Sequence, residues 1–218
     1  MAAKRAKGPS RTLRFASYII SFLLAAASIS ILVLYSYGML PLNFAQANLS
    51  IATSLFFPSI VFSYLLYKKN NVGQIIGELG LSLKGLTVRN LAIGIAIFFA
   101  ILALGVIFGV VSSLTGMQFP TNVDVLLAGM PIYFLAFASL VAPINEEILF
   151  RGFLVGRIGI ILSSLVFAIL HLSYSSISEF VAALLFGLIA AIVFKRTKSL
   201  YPCILAHILI NVLAIISL

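Results

Sequence analysis

A chain of 218 residues that is 62% hydrophobic and 9% charged has too few polar side chains to cover a soluble domain, so it reads as a polytopic membrane protein. The formal net charge of +9 invites a nucleic-acid partner, but the Lys and Arg residues gather between apolar runs, which argues against nucleic acid and points to membrane topology. The single cysteine, Cys203, excludes an intrachain disulfide and a Cys-rich metal site, and is expected to pack as a small apolar residue.

Apolar runs long enough to span ~30 Å of hydrocarbon, allowing for tilt and short helices, fall at about 15–39, 46–67, 90–114, 131–155, 159–174, 177–194 and 200–217. The expected fold class is therefore all-α, a polytopic transmembrane helical bundle of about seven spans. Residues 1–14 read as a basic cytoplasmic arm able to lie on anionic headgroups, and 15–218 as a single transmembrane domain in contact with membrane lipids. The first run continues past the length of a signal-peptide core without a small-residue cleavage site, so no cleavable leader is expected. No internal repeat divides the chain.

Spans one and two carry no Asp, Glu, Lys, Arg or His between residues 15 and 67 and read as scaffold. The connection at 70–89, with Gly73, Gly77, Gly80 and Gly85, reads as a cytoplasmic loop. In span three, Gly105 and Gly109 form a GxxxG, a weak sign of a close helix contact. Lys4, Arg5, Lys7, Arg11 and Arg14 precede span one; Lys68, Lys69, Lys84 and Arg89 follow span two; Arg157 follows span four; Lys195, Arg196 and Lys198 follow span six. All fall on one side if the N-terminus is cytoplasmic, while the opposite loops hold Asp124 and Glu179 and no Lys or Arg. The expected location is the cell membrane, multi-pass, with the C-terminus outside.

Ionisable groups enter the spans only after Pro131. The stretch Asn145-Glu146-Glu147-Ile148-Leu149-Phe150-Arg151 puts two of the five acidic residues and one arginine inside an apolar run. A single charge at a bilayer centre costs ~2.5–3.5 kcal/mol on insertion scales, so such a cluster is a functional-site hypothesis. Glu147 and Arg151, four apart, share a helix face and can pair, which leaves Glu146, about 100° round, as a candidate general base. Pro143, one turn before Glu147, removes a backbone hydrogen bond and can kink the helix.

The only two histidines each belong to an i, i+4 pair: Phe167 with His171 in span five, and His207 with Asn211 in span seven. Phe167 can pack on the His171 ring, and His207 and Asn211 present two polar heads on one face. Counted at ~1.5 Å per residue from the inner turns, Glu146 lies ~16 Å, His171 ~18 Å and His207 ~13 Å into the bilayer. Four polar motifs at one depth suggest one shared site. Two carboxylates, two imidazoles, an amide and a guanidinium suit three uses. They can activate water for peptide hydrolysis, bind zinc through Glu146 or Glu147 with His171 and His207, or carry ions or protons. A non-hydrolytic membrane protein, either a transporter or a partner-binding immunity or regulatory factor, is the competing class.

Glu146-Glu147-x-x-x-Arg151, Phe167-x-x-x-His171 and His207-x-x-x-Asn211, in this order on late spans, resemble the three motifs of the CPBP intramembrane proteases (CAAX protease and bacteriocin-processing, also called ABI). Phe150-Arg151-Gly152 matches the common form of the first motif. The resemblance makes 131–217 a CPBP-like catalytic core with its catalytic residues on three of the last four spans, and implies an intramembrane endopeptidase acting on a peptide or a prenylated C-terminal protein substrate. It further implies that one of the paired glutamates and His171 hold the attacking water, that His207 and Asn211 form the oxyanion site, and that Arg151 orients the acidic pair, with Phe167 in support. Family members allow either a metal-free, glutamate-activated water or a zinc. Asn211 tilts the expectation toward no cofactor, because an amide is a common oxyanion donor and an uncommon zinc ligand.

Overall fold

Helix α1 (Arg11–Ser36) starts where the Ser10 hydroxyl accepts the Leu13 N–H at 3.1 Å, satisfying one of the N–H groups that a helix start leaves open. In the computed structural model, which describes residues 9–68, 71–116, 123–174 and 176–217, all regular structure is helical. The basic residues Lys4, Arg5, Lys7 and Lys69 lie outside the described residues, as do positions 1–8 of the expected arm. Positions 11–14 of that arm are the first turn of α1.

No residue of α1 is buried, because it packs chiefly on α2 (Leu42–Lys68) and turns much of its apolar surface outward. Ser21 ties the two helices by donating to Ser59 Oγ at 3.0 Å. The connection after α2 is more than a solvated loop. Its short helix α3 (Val72–Glu78) buries Ile75, and Leu79 beyond it is also fully buried, because both are apolar side chains placed beneath the bundle. Gly80 makes the turn at φ +71, and its carbonyl accepts the Leu200 N–H at 3.0 Å.

Helix α4 (Val88–Thr115) is capped by Thr87 at its start and ends on Gly116 in the left-handed conformation. The GxxxG expectation points to the wrong glycines. A Cβ added at Gly105 or Gly109 would meet no described atom of another helix within 4 Å, whereas a Cβ on Gly94 would lie 2.8 Å from the Pro202 carbonyl, so Gly94 is where α4 meets α10 (Tyr201–Ile216).

After α5 (Val123–Ala128) the chain forms α6 (Ile132–Leu140), α7 (Ala142–Glu147), a π-helical stretch Ile148–Leu154, and α8 (Val155–Leu170). The break between α6 and α7 falls at Val141, with Pro143 in the first turn of α7, where a missing N–H costs nothing. As one straight rod the 39 residues Ile132–Leu170 would reach about 58 Å, nearly twice a bilayer core. They double back instead. The Phe150 and Phe167 ring centroids are 5.0 Å apart, whereas a continuous helix would hold them about 25 Å apart. The reversal is at Gly159, φ 84 and ψ 176.

Helix α9 (Ile177–Thr197), which starts at Ser176 as its cap, and α10 complete the bundle. Five apolar stretches are long enough by length and composition to cross a bilayer, and α10 is a shorter sixth. The expectation of seven spans divides Ile132–Leu170 in two, and the arm after Gly159 is a short helix that ends at Leu170 rather than at 174, about 16 Å long and not a full crossing. Cys203 is fully buried and donates to the Ala190 carbonyl at 3.3 Å, a packing role.

The Gly159 conformation is one that side chains with a Cβ scarcely adopt, so Gly159→Ala is expected to cost about 1–3 kcal/mol. Gly156→Ala, on an exposed helical position with open space around it, should leave stability unchanged or slightly raised. Thermal unfolding of both variants in detergent checks the contrast.

Candidate active site

The site is built where the π-helical stretch and α7 face α8, α9 and α10. Glu147, the last residue of α7, is 0% exposed. A buried carboxylate needs partners, and this one has two. Arg151 Nη1 donates to its Oε1 at 2.9 Å, and His207 Nδ1 lies 3.0 Å from the same oxygen. The i, i+4 pairing of Glu147 with Arg151 survives although the intervening backbone is π-helical, a local form common at functional sites. Nothing in the periodicity announces the π-helix.

Arg151, 1% exposed, stacks its guanidinium 4.2 Å from the Phe167 ring centroid and 5.0 Å from that of Phe186. Stacking of a desolvated cation on an aromatic face is worth on the order of 2 kcal/mol. Phe167 is the hub: its ring also lies 4.5 Å from His171, 5.8 Å from His207 and 5.0 Å from Phe150, centroid to centroid. Phe186 of α9 completes the nest, 4.8 Å from the His207 ring. Sequence reasoning missed Phe186, since one phenylalanine in an apolar helix carries no signal of its own.

Glu146 has a different environment. Its side chain is 31% exposed and lines a cavity of about 250 Å³, with Oε2 3.7 Å from His207 Nε2 and without a hydrogen-bond partner among the described residues. His207 therefore stands between the two carboxylates, one ring nitrogen toward each. His171 caps the end of α8 with Nδ1 on the Phe167 carbonyl at 2.9 Å, and lines the same cavity within electrostatic reach of Glu146 and His207. Asn211 also lines it, and its Nδ2 donates to the Ala138 carbonyl at 3.0 Å, at the α6–α7 break. One turn of α10 thus serves the site twice, His207 reaching the acids and Asn211 tying the broken helix. Asn145 adds a second tie, donating to Ser54 Oγ on α2 at 3.2 Å.

Among the described residues no three His, Cys, Asp or Glu side chains converge as a metal would need, and Arg151 holds a positive charge against Glu147, the carboxylate that would be a ligand. The residues present are arranged as one partly exposed carboxylate opposite a histidine whose far side is anchored on a buried ion pair.

No curated protein and no solved structure matches this chain. Residues 128–213 match the family model described as Type II CAAX prenyl endopeptidase Rce1-like. Glu146, Glu147, Arg151, Phe167, His171, His207 and Asn211 all lie in that segment, which is similar to the Rce1-like family of CAAX prenyl endopeptidases.

Proposed function

We propose that the chain is an intramembrane endopeptidase that hydrolyses a peptide bond with Glu146 as general base. The observation that carries this reading is the division between adjacent carboxylates. Glu147 is fully buried with Oε1 held by Arg151 and His207, whereas Glu146 is partly exposed and lines the cavity. In this mechanism a water held between Glu146 and His171 gives its proton to Glu146 as its oxygen attacks the scissile carbonyl. Glu146 then returns the proton to the departing amine nitrogen.

The oxyanion formed on the way needs donors in a water-poor site. His207 supplies one through Nε2 while Nδ1–H is held on Glu147. Asn211 has two amide hydrogens and spends one on Ala138, so the other is free to point into the cavity. With both imidazoles neutral, Glu146, Glu147 and Arg151 sum to −1, a charge that a proton or a cation must offset, and the oxyanion role of His207 requires a proton on Nε2. Arg151 fixes Glu147, Glu147 fixes the His207 ring, and the aromatic nest excludes water behind them.

The family description implies a prenylated substrate cut near its C-terminus in a membrane setting. Purified protein incubated with a fluorogenic prenylated CAAX peptide, beside Glu146→Ala, is the first test. Absence of any cleavage there and across a digest of whole membrane proteome would sink the enzyme reading.

The metal-free route carries its own expected outcome. Activity should survive exhaustive chelation, and elemental analysis of active protein should find substoichiometric zinc. One tightly held zinc per chain, lost together with activity in His171→Ala and His207→Ala, would overturn this route.

A further inference from the structure

Two serines of α2, Ser50 and Ser54, stand four apart on one helix face and line the cavity that Glu146, His171, His207 and Asn211 also line. Helix α2 lies outside the matched residues 128–213. A serine or threonine inside a helix often turns its hydroxyl back onto a carbonyl one turn earlier, and this chain does so repeatedly. Ser28 donates to the Leu24 carbonyl, Ser139 to that of Leu135, and Thr53, the immediate neighbour of Ser54, to that of Leu49, each at 2.9 Å. Ser54 donates no such bond among the described residues; its oxygen instead accepts from Asn145 Nδ2 at 3.2 Å. A hydroxyl has one hydrogen and two lone pairs, so Ser54 keeps its hydrogen, and keeps it on a wall of the cavity.

A peptide lying in a water-poor cavity brings carbonyl oxygens on both sides of the scissile bond, and each needs a donor. Few lining side chains can supply one. His207 and Asn211 are committed to the oxyanion, and His171, with its Nδ1–H on the Phe167 carbonyl, turns an acceptor nitrogen to the water. Glu146 and Glu179, when ionised, only accept, and apart from the two serines every other lining side chain is apolar. Ser50 is exposed, whereas Ser54 is half-buried and tied to Asn145, the residue before Glu146. That tie fixes the hydroxyl relative to the general base.

We propose that Ser54 is a substrate-binding residue, its hydroxyl donating to a backbone carbonyl of the bound polypeptide beside the scissile bond while its oxygen takes the Asn145 amide. The assignment rests on the protease reading for the identity of the ligand. It adds a contact from α2 to those that α7 and α10 make. Ser54 has no part in proton transfer, so its loss weakens binding and leaves the chemical step nearly as fast.

The test compares Ser54→Ala and Ser54→Thr with the parent on the fluorogenic prenylated CAAX peptide. Binding of the same peptide is measured by fluorescence anisotropy in the Glu146→Gln protein, with and without Ser54→Ala, so that no turnover intervenes. Loss of one neutral hydrogen bond should raise KM and Kd about 2–10-fold, with kcat within about twofold of the parent. Ser54→Thr keeps the hydroxyl and should recover most of the loss. Unchanged KM and Kd in Ser54→Ala overturn the proposal. So does a lower kcat at unchanged KM with a lowered melting temperature, because that pattern marks a strut for Asn145 and nothing more. If the parent cleaves nothing while the Glu146→Gln protein binds the peptide and Ser54→Ala weakens that binding, the protease reading falls and the Ser54 assignment stands. A peptide that the Glu146→Gln protein does not bind overturns the assignment.

Discussion

Glu146→Gln should abolish turnover, with a loss of at least about 10²–10⁴-fold, in a protein that still folds. The amide is nearly isosteric, so the cavity wall keeps its shape, and only the proton acceptor is lost. Because the Glu146 side chain is partly exposed and its nearest charged partner is His207 at 3.7 Å, no buried ion is stranded by the change. The melting temperature should stay close to that of the parent while hydrolysis of the cleaved substrate vanishes. Full activity in Glu146→Gln would move the base elsewhere and remove the basis for the proposed mechanism.

Arg151→Ala is expected to act the other way, on the fold first. Glu147 has no exposure, and its Oε1 is held by Arg151 and His207. Removing one partner of a buried pair strands the other and costs roughly 3–5 kcal/mol. The guanidinium also fills the space against Phe167 and Phe186, so its loss leaves a void as well. Arg151→Lys should recover only part of this, because an ammonium keeps the charge but cannot stack as a plane on two rings. Equal melting temperatures for Glu146→Gln and Arg151→Ala would contradict the roles assigned to the two glutamates.

Much of this molecule follows from local rules. Too few polar residues for a soluble surface dictate a membrane bundle, and the lysines and arginines, Arg151 apart, fall between or before the apolar runs. Gly159 permits the reversal that puts Phe167 against Phe150. The pairs Glu147–Arg151 and Phe167–His171 depend only on a spacing of four along a helix, and they are in contact here. Whatever rests on a residue's position along its own helix was open to reading before any coordinates.

What only the tertiary structure decided depends on groups brought from far along the chain. Which carboxylate faces the cavity was settled by His207, sixty residues from Glu147, and by the aromatic nest that seals one acid and leaves the other bare. Asn211 spends an amide hydrogen on Ala138, seventy-three residues away, and Phe186 arrives from a helix with no polar mark. The glycine-rich connection after α2 looked like a loop because its local composition is that of a loop. It became a floor because Ile75 and Leu79 found Leu200 and the π-helical stretch above them, and burial depends on what is overhead rather than on the residues alongside in sequence. Periodicity reports the face a side chain takes on its own helix, whereas the partner meeting that face is set by how distant helices pack.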